Sequence, residues 1–206
     1  MHKIIQKEGY VIGIAFILCY YTVINMYRRM NMKNALEVMN ERCSTRAFLP
    51  QMPEKEKLEK ILEAGTNAPT GRNKQSPIII AVTNKKLRDR LAVMNAEIMG
   101  KDSSFDPFYG APVVLIVLAD KSANTYIYDG SLVMGNLLNA CEAVGLGGCW
   151  IHRAKEEFET DEGKEILKSL GIEGDYEGIG HCVVGYEKNE RTEKSPRKDN
   201  YIYYID

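Results

Sequence analysis

The chain reads as an α/β or α+β protein with four to five strands, most of them buried on both faces. Three observations predict this. Two short, uninterrupted apolar runs, Pro77 to Val82 and Pro112 to Leu118, have the length and branched composition of strands with no solvent face. Other segments place apolar residues at helical spacing. One long stretch, Ala123 to Val144, is apolar or small on nearly every side, as a buried central helix is.

Each element follows in order. Ala35, Leu36, Val38 and Met39 fall at helical spacing, and Leu58, Ile61 and Leu62 repeat the pattern after the Pro50 to Pro53 break. Gly65 to Ser76 is a loop of small and polar residues. Pro77 to Val82 is the first strand, Lys85 to Met99 a helix and Pro112 to Leu118 the second strand. Gly145-Leu146-Gly147-Gly148 ends the central helix, since glycine accepts the left-handed conformation that a helix stop requires. Cys149-Trp150-Ile151 is then the third strand, Lys155 to Leu170 an amphipathic helix stopped by Gly171, and Ile179 to Tyr186 the fourth strand. A charged linker, Glu187 to Asn200, leads to Tyr201 to Ile205, which has strand composition. That last segment pairs either with its own chain or across to a second subunit.

The 206 residues, 45% hydrophobic and 27% charged, suit one domain with one substantial core. With 27 basic and 28 acidic residues the formal net charge is -1, so no global field favours nucleic acid and any phosphate binding must be local. The five cysteines are scattered, with no Cys-x-x-Cys pair, and read as reduced thiols of a cytoplasmic protein. His2, His152 and His181 lack metal-ligand spacing, so no metal site is predicted, and His181 reads as a hydrogen-bonded core histidine. Residues 1–31 stand apart from the domain at 32–206. Tyr10 to Tyr27 is uncharged and followed by Arg28-Arg29, which suits either an anchor with the domain on the cytoplasmic side or a false start ahead of Met30 or Met32. Any membrane association therefore runs through the leader alone.

Four stretches carry chemistry. Arg42-Cys43-Ser44-Thr45-Arg46 puts two guanidinium forks and a hydroxyl close together, which suits a phosphate, although solvated surface arginines share the pattern. Ala68-Pro69-Thr70-Gly71-Arg72-Asn73-Lys74-Gln75 offers backbone and side-chain amides that match a planar heteroaromatic ligand, or else forms a surface turn. Gly147 to Ile151 lets backbone pass close to a ligand with Trp150 as a flat wall, or is a glycine-softened strand with a core tryptophan. Pro196-Arg197-Lys198 adds cations near the C-terminus.

In this order the stretches resemble the nitroreductase-like flavoprotein family. Its members open with Arg-x-Ser-x-Arg/Lys and continue with an Ala-Pro-Ser/Thr-x-x-Asn-x-Gln loop. They carry Gly-Leu-Gly-x-x-Trp-Ile after a long helix and finish with a basic residue. The resemblance covers Met32 to Asp206. It implies an α+β fold of the three-layer α/β/α type, with a central, mostly antiparallel sheet of four to five strands flanked by helices, in a homodimer. It also implies FMN as cofactor. Arg42, Cys43, Ser44, Arg46, Arg197 and Lys198 would hold its phosphate and ribityl end, and Asn73 and Gln75 would lie near the pyrimidine side of the ring. Pro69, Thr70 and Gly71 would approach the flavin of the other subunit. Cys149, Trp150, Ile151 and His152 would pass the dimethylbenzene and N5 side, and Asn95 would reach the ring system.

The implied activity is electron transfer from NADH or NADPH through the flavin to a small-molecule acceptor, a nitroaromatic, quinone or activated alkene, with ping-pong kinetics. It requires no catalytic side chain. Two departures stand out. Gly100 to Gly110 is short where many relatives carry a helical excursion over the pocket, and His152-Arg153 replaces small or acidic residues after Trp-Ile. A membrane-anchored branch of the family deiodinates halotyrosines, but its substrate lid has no counterpart here. A non-catalytic flavin- or nucleotide-binding sensor on the same scaffold is the alternative.

Overall fold

A computed structural model of the chain describes residues 34–191 and 194–206. The leader at 1–31 lies outside them, and among the described residues no helix is long and apolar enough to cross a membrane. The chain divides into two compact units, Met1–Val38 and Met39–Asp206. Of the first, the description covers only the start of α1 (Ala35–Glu41). Asn34 and Glu37 cap it reciprocally: the Asn34 side chain accepts from the Glu37 N–H at 3.0 Å, and Glu37 accepts from the Asn34 N–H at 2.9 Å.

The second unit is built on a 4-stranded sheet, β1 (Pro77–Val82), β2 (Val113–Asp120), β3 (Gly147–Ile151) and β4 (Tyr176–Gly185), in the order β1-β2-β4-β3. Every neighbouring pair is antiparallel. The uncharged composition of the predicted runs follows from their position. Val113 to Ala119 in β2 are each 0% exposed, because helices cover both faces. Val114, Ile116 and Leu118 pack against α3 (Lys85–Ile98), α5 (Ala154–Glu159) and α6 (Asp161–Ser169). Val113, Leu115 and Val117 pack against α2 (Lys55–Thr66) and α4 (Tyr126–Ala143). At about 1.5–3 kcal/mol for each fully buried branched side chain, this strand supplies a large share of the core. The three-layer α+β architecture implied by the resemblance is the one observed.

Three expectations are corrected. The helix predicted over Lys155 to Leu170 is two helices, because Thr160 breaks it. Thr160 is extended (φ -71°, ψ 159°), and its hydroxyl accepts from the Gly163 N–H at 3.0 Å while donating to the Glu157 carbonyl at 2.6 Å. Its competing local bonds start a second helix instead of continuing the first. The central helix α4 is not buried all round: Ile127, Tyr128 and Leu132 are 47%, 72% and 47% exposed. The C-terminal Tyr201 to Ile205 is not a strand in this chain; it follows a 3₁₀ turn at Asp199–Tyr201 and stands exposed.

Candidate functional site

The stretch after α1 runs beside the outer edge of β3. Ser44 pairs with Gly148 in a parallel bridge, and the Thr45 N–H donates to the Gly148 carbonyl at 3.1 Å. Its continuation is fastened to the chain leaving β4, with the Leu49 N–H on the Tyr186 carbonyl at 2.9 Å and the Lys188 N–H on the Ala47 carbonyl at 3.0 Å. Thr45 also donates its hydroxyl to Glu187 at 2.6 Å. Gly147 makes this approach possible. A Cβ there would lie 2.5 Å from Thr45 Oγ1 and 2.9 Å from Thr45 Cβ, closer than real atoms approach.

Between these segments lies a cleft of about 530 Å³, walled on one side by Arg42 to Ala47 and on the other by Glu187, Arg191, Lys194 and Arg197. Its charges divide into two groups. Arg191 is already committed, with Nε on Glu187 at 2.8 Å and Nη1 on Glu142 at 2.8 Å, and the Glu187 hydrogen bond chiefly holds its proton even more firmly than usual. Lys194 donates to the Asn40 carbonyl. Arg42, Arg46 and Arg197 make no ion pair among the described residues, yet all three line the cleft. Beneath it, burial pushes the Cys149 thiol up, against the opposing pull of Arg46 and a hydrogen bond with Ser44. Cys149 is buried, its side chain belongs to the core, and it is not part of the cleft lining.

The Ala68 to Gln75 loop is held by α4. Asp129, buried in the first turn of that helix, accepts from the Gly71 N–H at 2.9 Å, the Ser76 hydroxyl at 3.0 Å and the Thr125 hydroxyl at 3.0 Å. The Gln75 N–H donates to the Thr70 hydroxyl at 3.0 Å, and Gln75 Nε2 to Asn73 Oδ1 at 3.2 Å. Arg72, Asn73 and Gln75 all have positive φ (52°, 55° and 50°), a conformation that non-glycine residues hold only when surrounding bonds impose it. Here Asp129 holds Gly71 and Ser76 at either end of the segment, and Thr70 holds Gln75 within it.

The turn from β3 into α5 rests on a buried polar network. Asn95, fully buried on α3, donates Nδ2 to the His152 carbonyl at 2.9 Å and to Glu157, and its Oδ1 accepts from Arg153 Nε at 2.8 Å. Glu157 Oε2 lies 2.9 Å from His181 Nε2, with both side chains at 0% exposure. The expectation for Asn95 is therefore corrected: both ends of its amide are engaged inside the protein, and no face remains for a ring. His181 is the hydrogen-bonded core histidine expected. Among the described residues no group of His, Cys, Asp and Glu could hold a metal.

Of the residues singled out by sequence, Arg42, Cys43, Ser44, Arg46 and Arg197 come together in one cleft, with β3 and its Cys149, Trp150 and Ile151 adjacent. Lys198 is not in its lining and lies over the Tyr201 ring, 5.6 Å from the centroid. Pro69, Thr70, Gly71, Asn73 and Gln75 are not in the lining either. Sequence reading missed Glu187, Arg191, Lys194 and Asp129. The first three were hidden in a stretch read as a charged linker. Asp129 had a signal: an acid on an otherwise apolar helix must find partners.

Comparison with known proteins bears on the family and the fold. The Nitroreductase family model matches residues 39–186. An Archaeoglobus fulgidus protein, provisionally named an NADH dehydrogenase/NAD(P)H nitroreductase, is 26% identical over 166 residues, covering 78% of this chain and 89% of that protein. A Desulfitobacterium hafniense nitroreductase solved with bound FMN has a TM-score of 0.72 at 26% identity, covering 84% of this chain and 100% of that one. A Bacteroides fragilis nitroreductase solved with bound FMN has the same coverage, with a TM-score of 0.75 at 24% identity. The family match spans all four strands and the Arg42 to Phe48 stretch, and the chain belongs to the nitroreductase family of oxidoreductases.

Proposed function

We propose that the protein is an FMN-dependent oxidoreductase that takes electrons from NADH or NADPH and reduces a nitroaromatic, quinone or activated alkene. The observation that carries this is the gathering of Arg42, Arg46 and Arg197, none of them ion-paired among the described residues, in one cleft that also holds Glu187 and Glu190, in a protein whose net charge is -1. Cations held together against their mutual repulsion call for an anion. The donor set fits a phosphate ester: planar guanidinium forks match phosphate oxygens, and Ser44 adds a hydroxyl. A cleft of about 530 Å³ is of cofactor size.

When bound, FMN supplies the electron-transfer chemistry. The chain's own residues bind and orient. Arg42, Ser44, Arg46 and Arg197 hold the phosphate and ribityl end. The backbone of Cys149 to His152 borders the ring, because the Cys149 and Ile151 side chains face the core. Asp129 fixes the Thr70 to Gln75 loop in one conformation, so that its amides need no reordering on binding. Donor and acceptor then use one site in turn, which gives ping-pong kinetics.

The cleft is polar and supplies no flat apolar wall for a flavin ring. A second copy of the chain supplies it in this proposal, through Pro69, Thr70 and Gly71. The exposed Ile127, Tyr128 and Leu132 on α4 and the tail Tyr201 to Ile205 are the apolar surfaces that such a homodimer covers. The purified protein should be yellow and dimeric by light scattering. It should bleach with NADH or NADPH without oxygen and recover on adding a nitroaromatic. Colourless protein that takes up no FMN defeats the proposal, and flavin that no nicotinamide reduces limits it to cofactor binding.

A further inference from the structure

The turn after β3 carries a cation whose Nε is held and which has no ion pair among the described residues. Arg153 has φ 78°, a left-handed conformation that an arginine holds at a cost. Asn95 keeps it there with one side chain, taking the peptide oxygen of His152 at 2.9 Å and Arg153 Nε at 2.8 Å. Glu157 accepts from Asn95 Nδ2, which fixes which way the amide points, and His181 fixes Glu157. Both Glu157 oxygens are thus turned to Asn95 and His181, and Arg153 has no ion pair among the described residues. Among the described residues its side chain makes one hydrogen bond, the one to Asn95. The Nη groups are not sealed in: the buried polar atoms without partners are Trp150 Nε1 and His181 Nδ1. His152 beside it is exposed, with its ring 5.9 Å from that of Trp150.

We propose that Arg153 recognises an oxyanion, carboxylate or phosphate, on the small molecule that reacts beside β3. This rests on the reading that the β3 edge and the turn after it border the cofactor. With Nε tied to Asn95, the two Nη groups present a planar pair of donors already aimed, matched to two oxygens of one anion. Little side-chain freedom is then lost on binding, so the charge discriminates. A neutral molecule of the same shape gains nothing from it. The oxyanion belongs either to the electron acceptor or to the reduced nicotinamide dinucleotide.

Trp150 is the only tryptophan, so its fluorescence reports binding beside Arg153 with or without flavin. Full-length protein is titrated with benzoate and with benzyl alcohol, and kcat/KM is measured for 4-nitrobenzoate, 4-nitrobenzyl alcohol and NADH. Benzoate should bind at least tenfold tighter than benzyl alcohol. Arg153→Met should remove that preference, Arg153→Lys should restore part of it, and Asn95→Ala should weaken it only when Arg153 is present. A fall in the 4-nitrobenzoate to 4-nitrobenzyl alcohol ratio of kcat/KM places the oxyanion on the acceptor. A fall confined to NADH places it on the donor. Equal binding of benzoate and benzyl alcohol, with kcat/KM for NADH unmoved in Arg153→Met, overturns the proposal. Colourless protein that still prefers benzoate through Arg153 leaves this site standing and defeats the flavin reading instead.

Discussion

Thr45 donates its hydroxyl to Glu187 at 2.6 Å, and this bond joins the two walls of the cleft. Glu187 also holds Arg191, so one carboxylate ties the arginine stretch near the N-terminus to the chain leaving β4. Thr45→Val keeps the shape and removes the bond. It should cost about 1–2 kcal/mol in urea unfolding and weaken FMN binding, since only the backbone bonds at Ala47 and Leu49 then hold the walls together.

Asp129 ties the Gly71 to Ser76 loop to α4 in the same way. Asp129→Ala leaves the Gly71 N–H, the buried Ser76 hydroxyl and the half-buried Thr125 hydroxyl without this acceptor, at a cost of about 2–4 kcal/mol. Hydrogen exchange at residues 70–76 should accelerate well before global unfolding, because the positive φ angles of Arg72, Asn73 and Gln75 relax once the carboxylate is gone. Unchanged exchange in this loop would show that Asp129 does not order it.

The cysteines give a chemical readout. Burial pushes the Cys149 thiol up, and Cys182 is pushed up by its hydrogen bond with Cys141 and by burial, so little thiolate forms at either near neutral pH. Cys43 is half-buried in the cleft lining and can be reached. Iodoacetamide on native protein should label Cys43 among these, and FMN should slow the labelling. Modification of Cys149 ahead of Cys43 contradicts this arrangement.

The pH response of α3 against α6 is small and of known sign. Hydrogen bonds from Arg90, at 2.7 Å and 2.6 Å, hold the Glu162 carboxyl below its usual range. Its stabilisation is present above the unfolded value and is lost as pH falls through the lower folded one, below about pH 5. Both side chains are over 40% exposed, so solvent limits the effect to under about 1 kcal/mol. Arg90→Gln should flatten the acid limb of stability by no more than that.

Much of this was legible in residue order. Pro77 to Val82 is a strand at the predicted bounds, although as the edge of the sheet it is half-buried, with Ala81 exposed, and not buried on both faces as its composition predicts. Arg42, Ser44, Arg46 and Arg197, which stand out by type as forks and a hydroxyl, line one cleft. What stayed hidden depends on pairing across distance. Whether a cation is free or already bound, as Arg197 and Arg191 differ, is set by partners such as Glu142 that no local pattern reveals. Asn95 failed for the same reason: its amide is consumed by residues more than fifty positions away.

The most direct test of the proposed phosphate role of the cleft is the affinity of flavin-free protein for FMN and for riboflavin, which differ only in the phosphate. FMN should bind at least a hundredfold more tightly, and Arg42→Ala with Arg197→Ala should bring the two together, given roughly 1.5–3 kcal/mol for each charged hydrogen bond lost. Riboflavin binding as tightly as FMN, or full FMN affinity in the double variant, would contradict the account.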